Sequence, residues 1–449
     1  MNILMLHYGP YVVSHGGGTK SDRFMIEYLA SEGHSCLCLV PTSFGSWVSD
    51  SGSLFERELA VRDIHFIRSG DDYYFNLKGV KVHAVHEQTV PDFLRMSRLR
   101  QVAMDTVRAF NPNVVLVTGS DRAHMLLRLA VEACPGRVIY FVRATPDLNV
   151  GPLCRTFEQT SPEIFKQIAM VLCPSNYMKS YISKWANVEA EVLDLPVYGK
   201  EPFPDFGSST NSYITMVNPC AVKGLSIFVQ IASNFPEAKF AAVPTWGTTH
   251  TDLTTLGTHS NITILAPADD VDDVLRRTRI LLVPSLWDEA FGMIVIESML
   301  RGIPVLASDV GGLSEAKLGI DYLLPVSSIT DYFAYRDERG APSPQVPPQD
   351  ITPWVSSLRL LLADPVHFWQ LSRKSRKAAV AYVSSLSTAR LSEIISQIGS
   401  SHRTASASST SQITKATQQA NRIAGLSPAA RAVVARRLTR TKHRGPLLE

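Results

Sequence analysis

Two carboxylates eight positions apart, Glu289 and Glu297, lie in the stretch Pro284-Ser285-Leu286-Trp287-Asp288-Glu289-Ala290-Phe291-Gly292-Met293-Ile294-Val295-Ile296-Glu297-Ser298-Met299. The stretch leaves an apolar strand pattern, passes through a loop and enters a helical pattern, which puts Glu289 in the loop and Glu297 inside the helix. Phe291, Gly292, Met293 and Ile294 then form the helix N-terminus, whose unpaired N–H groups and positive dipole end favour an anion. Taken alone, Glu289 fits a first-turn helix acid equally well, and Glu297 fits an ordinary exposed helix residue.

A cation is available on Asn218-Pro219-Cys220-Ala221-Val222-Lys223-Gly224, the loop after the apolar run Tyr213 to Val217. Lys223 there is either an anion binder or a solvated loop lysine. Gly16, Gly17 and Gly18 sit between the first strand pattern and the first helical pattern, where glycine lets backbone approach a ligand closely and serves equally as a flexible turn. No metal-ligand spacing stands out. The pairs Asp269-Asp270 and Asp272-Asp273 fall at a predicted helix start, where acids complement the dipole.

These loops need a scaffold, and the chain supplies an alternating one. Apolar strand patterns at Asn2 to His7, Ser35 to Pro41, Asp63 to Ile67, Val114 to Val117, Val138 to Val142 and Met170 to Pro174 are separated by helical stretches, among them Ser21 to Glu32 and Arg122 to Ala133. A polar segment, residues 199–212, reads as a linker between residues 1–198 and a second cycle over 213–360, with strands at Tyr213 to Val217, Lys239 to Val243, Ile262 to Leu265, Ile280 to Val283, Val305 to Ser308 and Tyr322 to Leu324. Two α/β domains with mostly parallel sheets, facing across a cleft, are expected. Ser327 to Thr352 reads as a long surface loop, and residues 361–398 as helices that could cross back to the first domain. Residues 399–449 are expected to be a flexible basic tail, with a Ser/Thr/Ala-rich linker and a short helix around Pro428 to Thr439.

At 449 residues, with 45% hydrophobic and 19% charged residues, the chain has an ordinary globular composition, which excludes a disordered or fibrous protein as a whole. Its net charge of +3 is uneven: Ser400 to Glu449 holds nine Lys or Arg and one acid, about +8, which leaves about −5 on the rest. No nucleic-acid partner is expected. Six scattered cysteines fit a reduced compartment. Met1 to Leu6 enters a strand directly, without the features of a signal peptide, and no apolar run approaches the ~20 residues of a spanning helix, so a cytoplasmic protein is expected.

The stretch around Glu289 and Glu297 resembles the signature of retaining glycosyltransferase family 4, a Glu, seven residues and a second Glu in a Pro-Ser/Glu-x-Phe-Gly setting. The likeness extends over roughly residues 1–395 and is strongest from Lys223 to Ala316, including Arg301-Gly302-Ile303-Pro304-Val305 and Ser308-Asp309-Val310-Gly311-Gly312-Leu313-Ser314-Glu315. It implies a GT-B fold of two Rossmann-like domains and a metal-independent transfer of a sugar from a nucleotide diphosphate sugar, a co-substrate, with no bound cofactor. Carried over, Glu289 contacts the donor sugar's hydroxyls and anomeric carbon, and Glu297 holds the ribose hydroxyls. Lys223 binds the diphosphate with the helix end at Phe291, Gly292, Met293 and Ile294, and the loop of Gly16, Gly17 and Gly18 closes on the donor. Carboxylates suit those roles, since they accept hydroxyl hydrogen bonds and stabilise an oxocarbenium-like centre.

The sequence departs from the family at three places. Asn218 stands where an Arg is usual, five residues before Lys223, so one cation is missing from the diphosphate loop. Thr118-Gly119-Ser120-Asp121-Arg122 follows a first-domain strand where a His commonly touches the sugar, and Arg143 replaces a second His. Thr118, Asp121, Arg122 and Arg143 are therefore acceptor-side candidates. Ser120 and Asp121 could equally cap the helix that follows, and Arg143 could equally form a structural ion pair.

The acceptor is not identified. The basic helix Arg95 to Arg108 could meet anionic lipid or be a solvated face, so peripheral membrane contact stays open. Leu426-Ser427-Pro428-Ala429-Ala430-Arg431-Ala432-Val433-Val434-Ala435-Arg436-Arg437-Leu438 is similar to the short helix preceding condensation domains in nonribosomal peptide synthetases. It points to a peptide or lipopeptide acceptor or a synthetase partner, against the plainer reading of a tail that binds any acidic surface. Two rivals share the architecture: a GT-B nucleotide-sugar epimerase, and an inactive nucleotide-sugar-binding adaptor.

Overall fold

The computed structural model describes residues 1–400 apart from 13–15, 43–50, 87–96, 120, 122–123, 155–161, 209 and 339. The chain divides into a large unit, Met1–Ile395, and a C-terminal unit, Ser396–Glu449, of which residues 396–400 are described and helical. The expected tail helix and its linker lie outside the described residues, as do Arg95 and Arg122.

The middle of the first sheet is built from strands that are mostly apolar and buried, which suits strands covered on both faces, while its edge strands mix polar with apolar residues. In chain order these are β1 (Asn2–His7), β2 (Ser35–Pro41), β3 (Phe66–Ser69), β4 (Asp72–Leu77), β5 (Val80–Val85), β6 (Val114–Thr118), β7 (Val138–Phe141), β8 (Met170–Cys173) and β9 (Glu191–Val192). Their order is β3-β4-β5-β2-β1-β6-β7-β8-β9, parallel except where β4 runs antiparallel to both β3 and β5. The sequence reading placed one strand at Asp63 to Ile67. The structure instead has three strands there, turning at Gly70 and at Lys78-Gly79, all with positive φ. Behind β1 and β6, Leu4, Leu6, Val115 and Val117 pack with Leu126, Leu127 and Ala130 of the helix Met125–Ala133.

The second sheet holds β10 (Tyr213–Val217), β11 (Phe240–Val243), β12 (Ile262–Ile264), β13 (Thr278–Val283), β14 (Val305–Ser308) and β15 (Leu323–Leu324), in the order β12-β11-β10-β13-β14-β15 and parallel throughout. No helix or strand occupies residues 199–212 between the sheets, among the described residues. The segment expected to be a long loop after β15 contains an antiparallel pair, β16 (Tyr332–Arg336) and β17 (Pro342–Pro344); Pro342 and Pro344 within β17, and Pro347 and Pro348 just after it, hide the strand pattern.

The helix Pro365–Ser385 starts over the second sheet, where Phe368 is fully buried and Arg376 donates to Pro204 O at 2.8 Å. The chain then reaches the first domain: Arg390 Nη2 lies 2.7 Å from Glu191 Oε2, and Ser392 Oγ lies 2.9 Å from the Tyr28 hydroxyl. No helix among the described residues is long and apolar enough to cross a membrane.

Candidate functional site

In each sheet the strand order reverses direction, between β1 and β6 in the first and between β10 and β13 in the second. Helices following such neighbouring strands go to opposite faces and leave a crevice at the strands' carboxyl ends. The loop after β10 carries Asn218 and Lys223, and the loop after β13 carries Ser285, Trp287 and Glu289. The two loops touch: a Cβ on Gly224, at φ +85°, would lie 1.8 Å from Pro284 O, so only glycine permits the approach.

Glu289 is 9% exposed, and its Oε1 accepts from Lys223 Nζ and from Ser285 Oγ. The Lys223 ammonium lies 4.8 Å from the Trp287 ring centroid and 5.8 Å from that of Trp246, on the loop after β11. The helix Met293–Leu300 begins with Gly292 at its N-cap, so Phe291 and Gly292 precede the helix while Met293 and Ile294 open it. Buried Phe291 packs 6.1 Å from the ring of Tyr382. Glu297, one turn into the helix, is buried and accepts from Lys20 Nζ at 2.6 Å. Asn218, with φ +60° and 5% exposure, accepts from Gly247 N through Oδ1. Its Nδ2 has no hydrogen-bond partner.

The first domain meets this loop directly. Gly17 and Gly18 are not loop residues: the helix runs Gly17–Ser31, with Gly16 as its N-cap, so the glycines form its first turn. A Cβ on Gly17 would stand 3.2 Å from Met293 Sδ. Further contacts cross the gap: Ser175 Oγ donates to Ala290 O, Tyr177 hydrogen-bonds Asp288, and Arg62 Nη2 lies 2.9 Å from Asp269 Oδ1. The Glu315 carboxylate accepts the backbone N–H of Asn176 at 2.8 Å and of Tyr177 at 2.7 Å, at the start of the helix Asn176–Ala186.

The acceptor-side candidates turn inward. Fully buried Thr118 donates to Asp22 Oδ1 at 2.7 Å, and Arg143 donates from Nε to the same oxygen at 2.8 Å while stacking 3.5 Å over the Phe141 ring. His7 Nε2 lies 3.3 Å from Asp22 Oδ2. Burial alone would raise the Asp22 carboxyl, but Arg143 and His7 outweigh it and hold it below the usual carboxylate range. Asp121 is a helix cap, accepting the N–H groups of Met125, Leu126 and Leu127 at 2.9, 2.8 and 3.0 Å. Burial pushes its carboxyl up to about 6 despite those three bonds. Likewise Asp269 pairs with Arg62, Asp272 with Arg301 and Asp273 with Arg276, so three of the four clustered acids hold structural ion pairs.

The structure thus gathers Lys223, Glu289, Glu297, Met293, Gly17 and Asn218 around one crevice, and directs Thr118, Asp121 and Arg143 into the first domain's own packing. Sequence reasoning missed Lys20, Asp22, His7, Ser285, Trp246 and Trp287. Lys20 and Asp22 carried a faint signal, two charges in the first turns of a helix that opens on glycines. Pairing across 277 positions left no trace.

Two sheets of this kind, each with its crevice turned toward the other, define the GT-B fold. Similar solved structures include sucrose-phosphate synthase from Thermosynechococcus elongatus, at TM-score 0.60 and 14% identity over 90% of this chain and 99% of that one. Another is HepE from Anabaena in complex with UDP and glucose, at TM-score 0.55 and 14% identity over 90% of this chain and 100% of that one. Residues 249–317 match the family described as Glycosyl transferases group 1. Curated relatives include an uncharacterized 42.6 kDa protein in the cps region of Klebsiella pneumoniae, 32% identical over 93 residues, 21% of this chain and 25% of that one. A D-inositol 3-phosphate glycosyltransferase of Gordonia bronchialis is 31% identical over 123 residues, 27% of this chain and 22% of that one. The chain therefore spans about a quarter of the length of these relatives.

Proposed function

We propose that the protein is a retaining glycosyltransferase of the family 4 type, which moves a sugar from a nucleotide diphosphate sugar to an acceptor without a divalent metal. The observation that carries this is the placement of Glu289: a nearly buried loop acid at the carboxyl ends of β10 and β13, beside Lys223 and just before an uncapped helix end. The group 1 match over residues 249–317 covers Glu289, Glu297 and the helix that carries Glu297.

In this mechanism the bond between the anomeric carbon and the phosphate oxygen breaks first. Lys223 and the N–H groups at Met293 and Ile294 take up the charge on the departing diphosphate. Glu289, released from Lys223, accepts sugar hydroxyls and stabilises the positive anomeric carbon, and Glu297 accepts the ribose hydroxyls. The acceptor oxygen attacks from the leaving-group face, and its proton passes to the departing phosphate oxygen, so no protein base is needed. Asp22 with Arg143 fixes the first-domain wall rather than the reacting groups. We place the enzyme in the cytoplasm. The acceptor we favour is a natural product, a lipopeptide among them, reached through the tail; peripheral membrane contact rests on Arg100 and Arg108, because Arg98 is engaged by Asp72.

A calorimetric panel of UDP-, GDP- and dTDP-sugars, beginning with UDP-glucose because HepE was solved with UDP and glucose, tests donor binding. Glu289→Gln should cut turnover by about 10²–10³-fold while nucleoside diphosphate affinity stays within a few-fold. Unchanged turnover refutes the assignment. Donor consumption yielding only an epimerised nucleotide sugar, or tight binding with no turnover in the wild type, replaces it with the epimerase or the adaptor.

A further inference from the structure

We propose that Lys20, from the first domain, is the second cation for the donor's diphosphate, and that in the ligand-free protein it is held on Glu297 as Lys223 is held on Glu289. The inference rests on the donor-site reading above and names a residue that reading does not include.

Charge comes first. Around the crevice the second domain offers Lys223 against two carboxylates, Glu289 and Glu297, both largely buried. Left to that domain alone, the site would carry one net negative charge and repel a diphosphate. Lys20 brings the four groups to neutrality, each acid covered by one lysine.

Placement comes second. The helices Gly17–Ser31 and Met293–Leu300 begin side by side, at the contact of Gly17 with Met293. Each has a glycine at its N-cap, which offers no side-chain cap, and neither has an acid in its first turn. Lys20 instead puts a cation in the first turn, close to the positive end of its own helix, where the dipole disfavours it. An anion seated between the two helix ends removes that conflict. Lys20 also has the freedom to act: its side chain is 41% exposed against 8% for Glu297, and a flexible four-carbon stem carries its three donors. Other nearby cations are committed, Arg143 to Asp22, Arg301 to Asp272 and Lys317 to Val305 O.

Donor binding is then an exchange of partners. Both lysines move from carboxylate to diphosphate oxygens, and the two freed carboxylates accept the donor's hydroxyls. The site opens its hydrogen-bond acceptors only when a ligand brings its own negative charge.

The test measures, by calorimetry on the full chain, the affinity ratio of UDP to uridine, or of GDP to guanosine if the wild type prefers that base. Lys20→Met should lower the ratio at least tenfold, and Lys20→Arg should restore most of it. The double variant Lys20→Met with Glu297→Gln separates two roles. If Lys20 binds the diphosphate, the ratio stays low; if Lys20 only neutralises Glu297, the ratio recovers and the proposal fails. A ratio within twofold of wild type in Lys20→Met overturns the proposal alone. A wild type that binds no nucleoside diphosphate overturns the donor-site reading and this proposal with it.

Discussion

Gly311→Ala should disable the Glu289 loop without touching any group that meets substrate. Gly311 follows β14, has φ +55°, and packs against the back of the loop: a Cβ there would lie 2.4 Å from Glu289 O and 2.6 Å from Glu289 N. A Cβ atom essentially never comes within 3.0 Å of a non-bonded heavy atom, so relieving the first contact alone moves the Glu289 main chain by about 0.6 Å. The loop cannot simply slide, since Gly312 N holds Glu289 O at 2.7 Å from the same side. A misplacement of about 1 Å costs on the order of 10²-fold in rate, so kcat/KM should fall about 10- to 100-fold. Alanine in the left-handed region costs about 1–2 kcal/mol and the overlap about 1–3 kcal/mol more. Urea unfolding should therefore show a loss of roughly 2–5 kcal/mol, which a domain stable by about 5–15 kcal/mol survives over most of that range. Gly319→Ala is the control: its φ is +71° and nothing lies within 4 Å of the added Cβ. It should lose only the backbone part, about 1–2 kcal/mol, and keep full activity. A folded Gly311→Ala enzyme with kcat/KM within twofold of wild type would refute the idea that this turn positions Glu289.

Arg143→Met strips the fully buried Asp22 of its main partner and should cost about 3–5 kcal/mol in urea unfolding. Adding Asp22→Asn should recover part of that loss, whereas additive losses would mean that the two residues act separately. Burial lowers the His124 imidazole from 6.5 to about 4, so its neutral form contributes stability that is complete above about pH 6.5 and lost as pH falls toward 4. Compared with His124→Gln, the wild type should therefore lose about 3 kcal/mol between pH 7 and pH 4; a pH-independent difference between the two proteins would contradict this. The comparison also removes the opposing effect of Asp121, whose raised carboxyl makes stability fall as pH rises from about 4 to 6.

The strands on both sides of each crevice are legible because buried parallel strands leave unbroken apolar runs such as residues 3–6 and 280–283. The three-stranded edge from Phe66 to Val85 was not: Asp72–Leu77 and Val80–Val85 alternate polar with apolar residues, and two tight turns compress them. Glu289, Lys223 and Glu297 could be picked out because a loop motif constrains residues close in sequence. For Thr118, Asp121 and Arg143 the sequence leaves a cleft role and a structural role open, and the structure gives each a structural partner. Position after a strand says which end of the sheet a side chain leaves from, and Asp22, far away in sequence, decided that two of them turn inward. Lys20 escaped for the same cause, since its partner belongs to the other domain.

The chain passes between the halves twice, outward through residues 199–212 and back after the helix Pro365–Ser385, where Arg390 and Ser392 meet Glu191 and Tyr28. A single tether would let one half swivel and drift; two crossings act like a pair of door pins and leave one easy rotation, about the line that joins them. Opening should thus be a swing that parts Lys20 from Glu297 and Arg62 from Asp269 together. Because two of the fastenings across the gap are ion pairs, Lys20 with Glu297 and Arg62 with Asp269, ionic strength should act as a throttle on how long the door stays shut.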